Sequence, residues 1–216
     1  MSYKFIAVDM DGTLLDSNGL ITENTVNAIR HLVKSGVIFT ISTGRPIQGV
    51  EKYNSLLHLR GPVITYNGSM IVDAESYETL FERGLLSVDA RRIFELGLYY
   101  DTTMCIWAGN QLYGNKLNSR MHDYKKLSGV EPIKLIDIEK VLDIGVTKIL
   151  WYDDVDTVKK MMQELSDDMF SEVTYCTSKP TFLEFFNRRV SKSEAMRQIG
   201  QIYSIAPEEM IAIGDG

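Results

Sequence analysis

The first 66 residues alternate between short apolar runs and amphipathic segments, and that alternation restricts the chain to few folds. Lys4 to Val8 is a β-branched and aromatic run of strand length, the pattern of a strand buried on both faces. Thr22 then stands where a helix N-cap belongs, Val26, Ile29 and Val33 recur at helical spacing, and Gly36 follows as a stop. Val37 to Ile41 is a second apolar run. Pro46, suited to a first helical turn, opens a helix over Ile47 to about Leu57, and Pro62 to Tyr66 supplies a third strand. Strand-helix-strand-helix-strand predicts an α/β fold with a doubly wound parallel sheet.

The rhythm changes after Tyr66. Asn67-Gly68 reads as a two-residue hairpin turn before Met70 to Val72, and Gly109-Asn110 as another between Met104–Trp107 and Gln111–Tyr113. Helices are expected from Ser87 through Leu98, around Met121 to Leu127 and Asp137 to Leu142, and over Val155 to Leu165. Lys148 to Tyr152, Glu172 to Cys176 and Phe182 to Phe186 read as strands. Hairpins mixed with helices describe an inserted α+β domain with its own sheet. Ser193 to Tyr203 and Met210 to Ile213 then restore the first pattern. The expected division is a core of residues 1–82 and 187–216 with an insert over 83–186.

A formal net charge of −6 with scattered Lys and Arg excludes a basic nucleic-acid surface or a polybasic membrane anchor. No apolar run is long enough to span a bilayer, and the strand-like start leaves no room for a signal peptide, so the expected compartment is the cytoplasm. Cys105 and Cys176 lack metal-type spacing and read as small buried hydrophobes. Nothing in the sequence speaks to oligomeric state.

Open parallel sheets bind ligands beyond the carboxyl ends of their strands. The residues there are Asp9 and Asp11, then Ser42-Thr43-Gly44-Arg45, then Asn67-Gly68, and finally Asp215. Two carboxylates at about 4 Å repel by roughly 4 kcal/mol at an effective dielectric near 20, so positive charge must compensate Asp9 and Asp11. Carboxylates, a hydroxyl, an arginine and Gly-rich backbone on one rim describe a site for Mg²⁺ and phosphate, the ion shared by Asp9, Asp215, a carbonyl oxygen and waters.

Asp9-Met10-Asp11-Gly12-Thr13-Leu14 resembles the DxDGT motif of the haloacid dehalogenase (HAD) superfamily. Thr43-Gly44-Arg45-Pro46 is similar to its second motif in the Cof-type, class IIB branch, Val190-Ser191-Lys192 to its lysine motif, and Gly214-Asp215-Gly216 to the first half of its GDxxND motif. The resemblance implies a Rossmann-like core with an inserted α/β cap of the C2B type and a Mg²⁺-dependent phosphatase acting on a small phosphorylated metabolite, a sugar phosphate above all. It implies Asp9 as nucleophile forming an aspartyl-phosphate, and Asp11 as general acid and base whose main-chain carbonyl binds the metal beside Asp9 and Asp215. Thr43 and Lys192 would hold the transferring oxygens, while Gly44, Arg45 and Asn67 would meet substrate. As neighbours in an extended segment, Asp9 and Asp11 would share one side.

Ser193 stands where the family more often has Gly or Ala, and the sequence ends before the Asn-Asp of the last motif. The expectation is therefore a piece of a longer enzyme. A phosphomutase with the same nucleophile and a catalytically impaired phosphometabolite-binding protein are the rival readings; a receiver-type domain shares the carboxylates but not DxDGT. Asp153, Asp154 and Asp156 precede a helical pattern and read as cap and dipole partners rather than metal ligands.

Overall fold

The computed structural model describes residues 3–215. In chain order the elements are β1 (Phe5–Asp9), α1 (Glu23–Lys34), β2 (Ile38–Ser42), α2 (Glu51–Leu57), β3 (Pro62–Thr65), β4 (Met70–Asp73), β5 (Thr79–Glu82) and α3 (Ser87–Tyr99). They continue with β6 (Thr103–Ala108), β7 (Gln111–Gly114), α4 (Ser119–Ser128), β8 (Ile133–Lys134), α5 (Ile138–Ile144) and β9 (Val146–Tyr152). Last come α6 (Val155–Glu164), β10 (Val173–Lys179), β11 (Phe182–Asn187), α7 (Lys192–Tyr203) and β12 (Met210–Ile213). The fold is mixed α/β with two sheets. One compact unit runs to Glu82 and resumes at Val190; Arg83–Arg189 forms the other.

The sheet of the first unit has the order β12-β1-β2-β3-β4-β5. Its first four strands are parallel, as the alternating sequence dictates, and Phe5, Ala7, Ile64 and Ile71 pack with Ala195, Ile199 and Ile205 into a core under α7. Helix α1 lies against β2 and α2. It begins as expected, with the Thr22 hydroxyl accepting from the Thr25 N–H at 3.3 Å. Two expectations are corrected. Strands β4 and β5 extend the sheet antiparallel, so it is mixed rather than the wholly parallel sheet expected. The helix expected from Ile47 is two pieces, a short 3₁₀ turn Ile47–Gly49 and then α2.

The second unit is a sheet of order β10-β11-β9-β6-β7-β8, antiparallel except for the β7/β8 pair. Gly109 and Asn110 both have positive φ, 53° and 58°, and close the expected two-residue hairpin between Ala108 and Gln111. Met104, Ile106, Ile149, Trp151, Leu183 and Phe185 form one apolar core with Ala90 and Ile93 of α3 and Val158 and Met161 of α6. Cys105 and Trp107 alternate away from that core and meet α4, where Trp107 Nε1 donates to the Tyr124 hydroxyl at 2.9 Å. Cys105 is buried as expected, its thiol pushed up by burial, whereas Cys176 is exposed at the sheet edge. Asp154 occupies the N-cap of α6 without a side-chain cap bond; Arg120 instead bridges Asp153 at 3.0 Å and Asp154 at 2.8 Å. Arg120 thus clamps Asp153 and Asp154, while Asp156 sits in the first turn of α6 as expected. Among the described residues, no helix is long and apolar enough to cross a membrane.

Candidate active site

The end of β1 determines the site. Beyond Asp9 the chain does not stay extended: the Leu15 N–H donates to the Met10 carbonyl at 3.0 Å, closing one wide turn anchored by buried Met10 and Leu14. Within it Gly12 takes φ +84°, a conformation that favours glycine. The segment expected to stay extended from Asp9 to Asp11 turns instead, and each carboxylate has its own partner. Lys192 Nζ donates to Asp9 Oδ1. Arg45 grips Asp11 with two of its guanidinium nitrogens, Nε to Oδ2 at 3.0 Å and Nη2 to Oδ1 at 2.5 Å. The Asp11 hydrogen bond holds the guanidinium above its ordinary pKa against the opposing effect of partial burial. Compensation of the two charges thus begins with two protein cations.

The loop after β2 is sewn to the turn after β3. Thr43, almost fully buried, donates its N–H to the Ile64 carbonyl at 2.9 Å, and its hydroxyl accepts the Arg45 N–H at 3.2 Å. The Asn67 N–H donates to the Thr43 carbonyl at 3.0 Å and the Tyr66 N–H to the Arg45 carbonyl at 3.1 Å. The hairpin expected at Asn67-Gly68 exists, but Thr65 pairs with Met70, so its turn spans Tyr66–Ser69 rather than two residues. Tyr66, Asn67 and Gly68 all have positive φ. This winding sets the Asn67 amide against Gly44, where an added Cβ would lie 2.9 Å from Oδ1. It also brings Gly68 against the Ser191 carbonyl, an approach no side chain would permit. Ser191 caps α7 by accepting the Glu194 N–H at 3.0 Å, so this contact seats Lys192 beside Asp9. The roles of Gly68 and Ser191 were not visible in sequence; the only signal was that Asn-Gly tolerates positive φ.

Asp215 completes the group. A Cβ on Gly12 would lie 2.5 Å from Asp215 Oδ2, and one on Gly214 would lie 3.5 Å from Asp9 Cβ, so the two chain ends meet at this point. Asp9, Lys192, Asp215, Ser42, Ser193 and Met196 line a cavity of about 500 Å³. Among the described residues, no group of three or more His, Cys, Asp or Glu gathers as a metal cluster. The Asp9 and Asp215 carboxylates supply hard oxygen donors of the kind that suit a divalent cation, and glycine at position 12 leaves the Asp215 oxygen clear.

Residues 6–216 match the model of the haloacid dehalogenase-like hydrolase family. The chain belongs to that family. It is 32% identical over 218 residues to "Putative phosphatase YxeH" of Bacillus subtilis, covering 99% of this chain and 81% of the relative. It is 29% identical to 5-amino-6-(5-phospho-D-ribitylamino)uracil phosphatase YcsE of the same organism, over 98% of this chain and 76% of that protein. The crystal structure of a haloacid dehalogenase-like hydrolase from Bacteroides thetaiotaomicron shares the fold, with a TM-score of 0.88 at 23% identity over 100% of this chain and 82% of the other. In this chain the acidic motif begins at Asp9, the last residue of β1, and runs into the following turn, while the lysine is the first residue of α7.

Proposed function

We propose that this haloacid dehalogenase-like hydrolase is a Mg²⁺-dependent phosphatase of small phosphorylated metabolites, and that the phosphoryl group passes through Asp9. The observation that carries the reading is the Asp9 carboxylate at a strand end, held by Lys192 and close to Asp215. A carboxylate oxygen of Asp9 attacks phosphorus in line as the bond to the substrate alcohol breaks, leaving an acyl phosphate. Asp11 gives its proton to the departing alkoxide. It then takes a proton from water as that water attacks phosphorus, releasing phosphate and restoring Asp9. Asp11 must loosen its grip on Arg45 to do so, which makes Arg45 the group that parks the acid between steps. Lys192 and Thr43 stabilise the transferring oxygens. Asp9, Asp215 and the Asp11 carbonyl would hold Mg²⁺, which when bound neutralises phosphoryl charge.

We assign core chemistry to the unit containing Asp9 and Lys192, and substrate selection by a cap to residues 83–189. Gly44, Arg45 and Asn67 contribute the substrate-facing rim of the core. The name of the YcsE relative, a phosphatase of a phosphorylated ribityl compound, supports a phosphorylated sugar or sugar alcohol as substrate class. The test is phosphate release over a panel of sugar phosphates, with Mg²⁺ or with chelator, on wild type and Asp9→Asn. Metal-dependent release by wild type and none by the variant is expected; turnover surviving in Asp9→Asn rejects the nucleophile.

A further inference from the structure

Ser42 ends β2 and pairs in register with Asp9 at the end of β1. Residues in register on adjacent parallel strands project to the same face. For these two that is the face of Phe5 and Ala7, on which α7 packs. Ser42 is 4% exposed, yet its hydroxyl has no hydrogen-bond partner. The two threonines that flank it in its own segment behave otherwise: Thr40 Oγ1 donates to the Pro62 carbonyl at 2.5 Å, and Thr43 Oγ1 accepts from Arg45. A buried hydroxyl is disfavoured when unbonded, so one that persists beside a functional cavity calls for a partner within reach of a side-chain rotation. Ser42 lines the same cavity as Asp9, Lys192 and Asp215.

We propose that Ser42 is a positioning residue for Asp9. By turning about χ1, its hydroxyl donates to Oδ2 of Asp9 while Lys192 holds Oδ1, so the carboxylate is gripped from two sides and its plane is fixed for attack. A carboxylate oxygen has two lone-pair directions, so Oδ2 keeps one for its other work. The role rests on the reading of Asp9 as nucleophile. It adds to that reading a residue that neither the acidic motif nor the lysine motif contains.

Hydrolysis of p-nitrophenyl phosphate by the full chain with Mg²⁺, measured for wild type, Ser42→Ala, Ser42→Thr and Asp9→Asn, tests this. Ser42→Ala should lower kcat about tenfold, the size expected for one hydrogen bond to a charged group, with KM little changed. Its unfolding temperature should hold or rise, because an unbonded buried hydroxyl has been removed, and Ser42→Thr should recover most of the rate. A crystal structure with Mg²⁺ should place Ser42 Oγ at ~2.6–3.0 Å from Asp9 Oδ2. Full kcat in Ser42→Ala with Asp9→Asn inactive overturns the role of Ser42 alone. Turnover by Asp9→Asn overturns both readings. A kcat loss that tracks a lowered unfolding temperature without rescue by Thr, or a hydroxyl bonded elsewhere in the crystal, overturns the positioning role.

Discussion

Lys192 donates to Asp9 across 183 positions of sequence, from the first residue of α7 to the last of β1. A cation at a helix N-terminus faces the positive end of the macrodipole, so the helix itself gains nothing from it there. The carboxylate explains the lysine. With Asp9 less than one-fifth exposed, Lys192→Met leaves a largely buried charge with one cation fewer. Phosphate release should fall by at least about 100-fold, the scale for loss of a preorganised charge at a transition state. Circular dichroism should stay native. Unchanged release would remove Lys192 from the site.

Asp11 and Arg45 form an ion pair that is geometrically strong and energetically modest. The partners are 58% and 36% exposed, and such pairs contribute ~1 kcal/mol or less to folding. Asp11→Asn should therefore unfold close to wild type while losing nearly all turnover of substrates with poor leaving groups, where a proton must be supplied. Arg45→Lys keeps the charge but not the two-nitrogen grip and should be an intermediate case. The comparison of an alkyl phosphate with p-nitrophenyl phosphate reads this directly. An equal loss on both substrates would place the essential proton transfer of Asp11 in hydrolysis of the acyl phosphate, which both share, rather than at the leaving group.

Element order was legible because buried parallel strands and amphipathic helices leave different periods in the sequence. Strands β5 and β8 escaped notice because they are edge pieces: β5 is half exposed, and both residues of β8 are exposed, so neither leaves an apolar run. The break before α2 turns on Gly49 and Val50, where a single glycine is a weak signal. The site residues were legible as types at strand ends, but their partners were not. Arg45 lies 34 positions from Asp11 and Lys192 far further from Asp9, and no local pattern encodes which cation meets which carboxylate. Ser42 was invisible as more than a strand end, since only register places it beside Asp9.

Gly12 should be replaceable only at the expense of the metal. A Cβ there would stand 2.5 Å from Asp215 Oδ2 on a backbone of φ +84°. Gly12→Ala must displace the Asp215 carboxylate or strain the turn, the latter by ~1–2 kcal/mol. The expected signature is a shift of the Mg²⁺ concentration for half-maximal activity to higher values, with the unfolding midpoint only slightly lowered. An unchanged Mg²⁺ response would mean that Asp215 does not serve the ion.

In the second unit, Lys148 and Glu184 are both under one-tenth exposed and bonded at 2.8 Å, with the Ser178 hydroxyl donating to the other carboxylate oxygen. Burial alone would push the Glu184 carboxyl up, but Lys148 and Ser178 together hold it below its ordinary value of 4.5. A carboxyl with a lowered folded-state pKa adds stability that is complete above the unfolded value and is lost as pH falls through the folded one. The window for this pair therefore lies below about pH 4.5. Glu184→Gln strands a buried ammonium and should destabilise by ~3–5 kcal/mol at neutral pH, whereas Lys148→Met with Glu184→Leu removes both charges and should lose far less. Urea unfolding at pH 7 and at a series of acid values separates the two effects. The double variant should show a shallower acid decline than wild type, and an identical decline would show that acid sensitivity arises at other carboxylates.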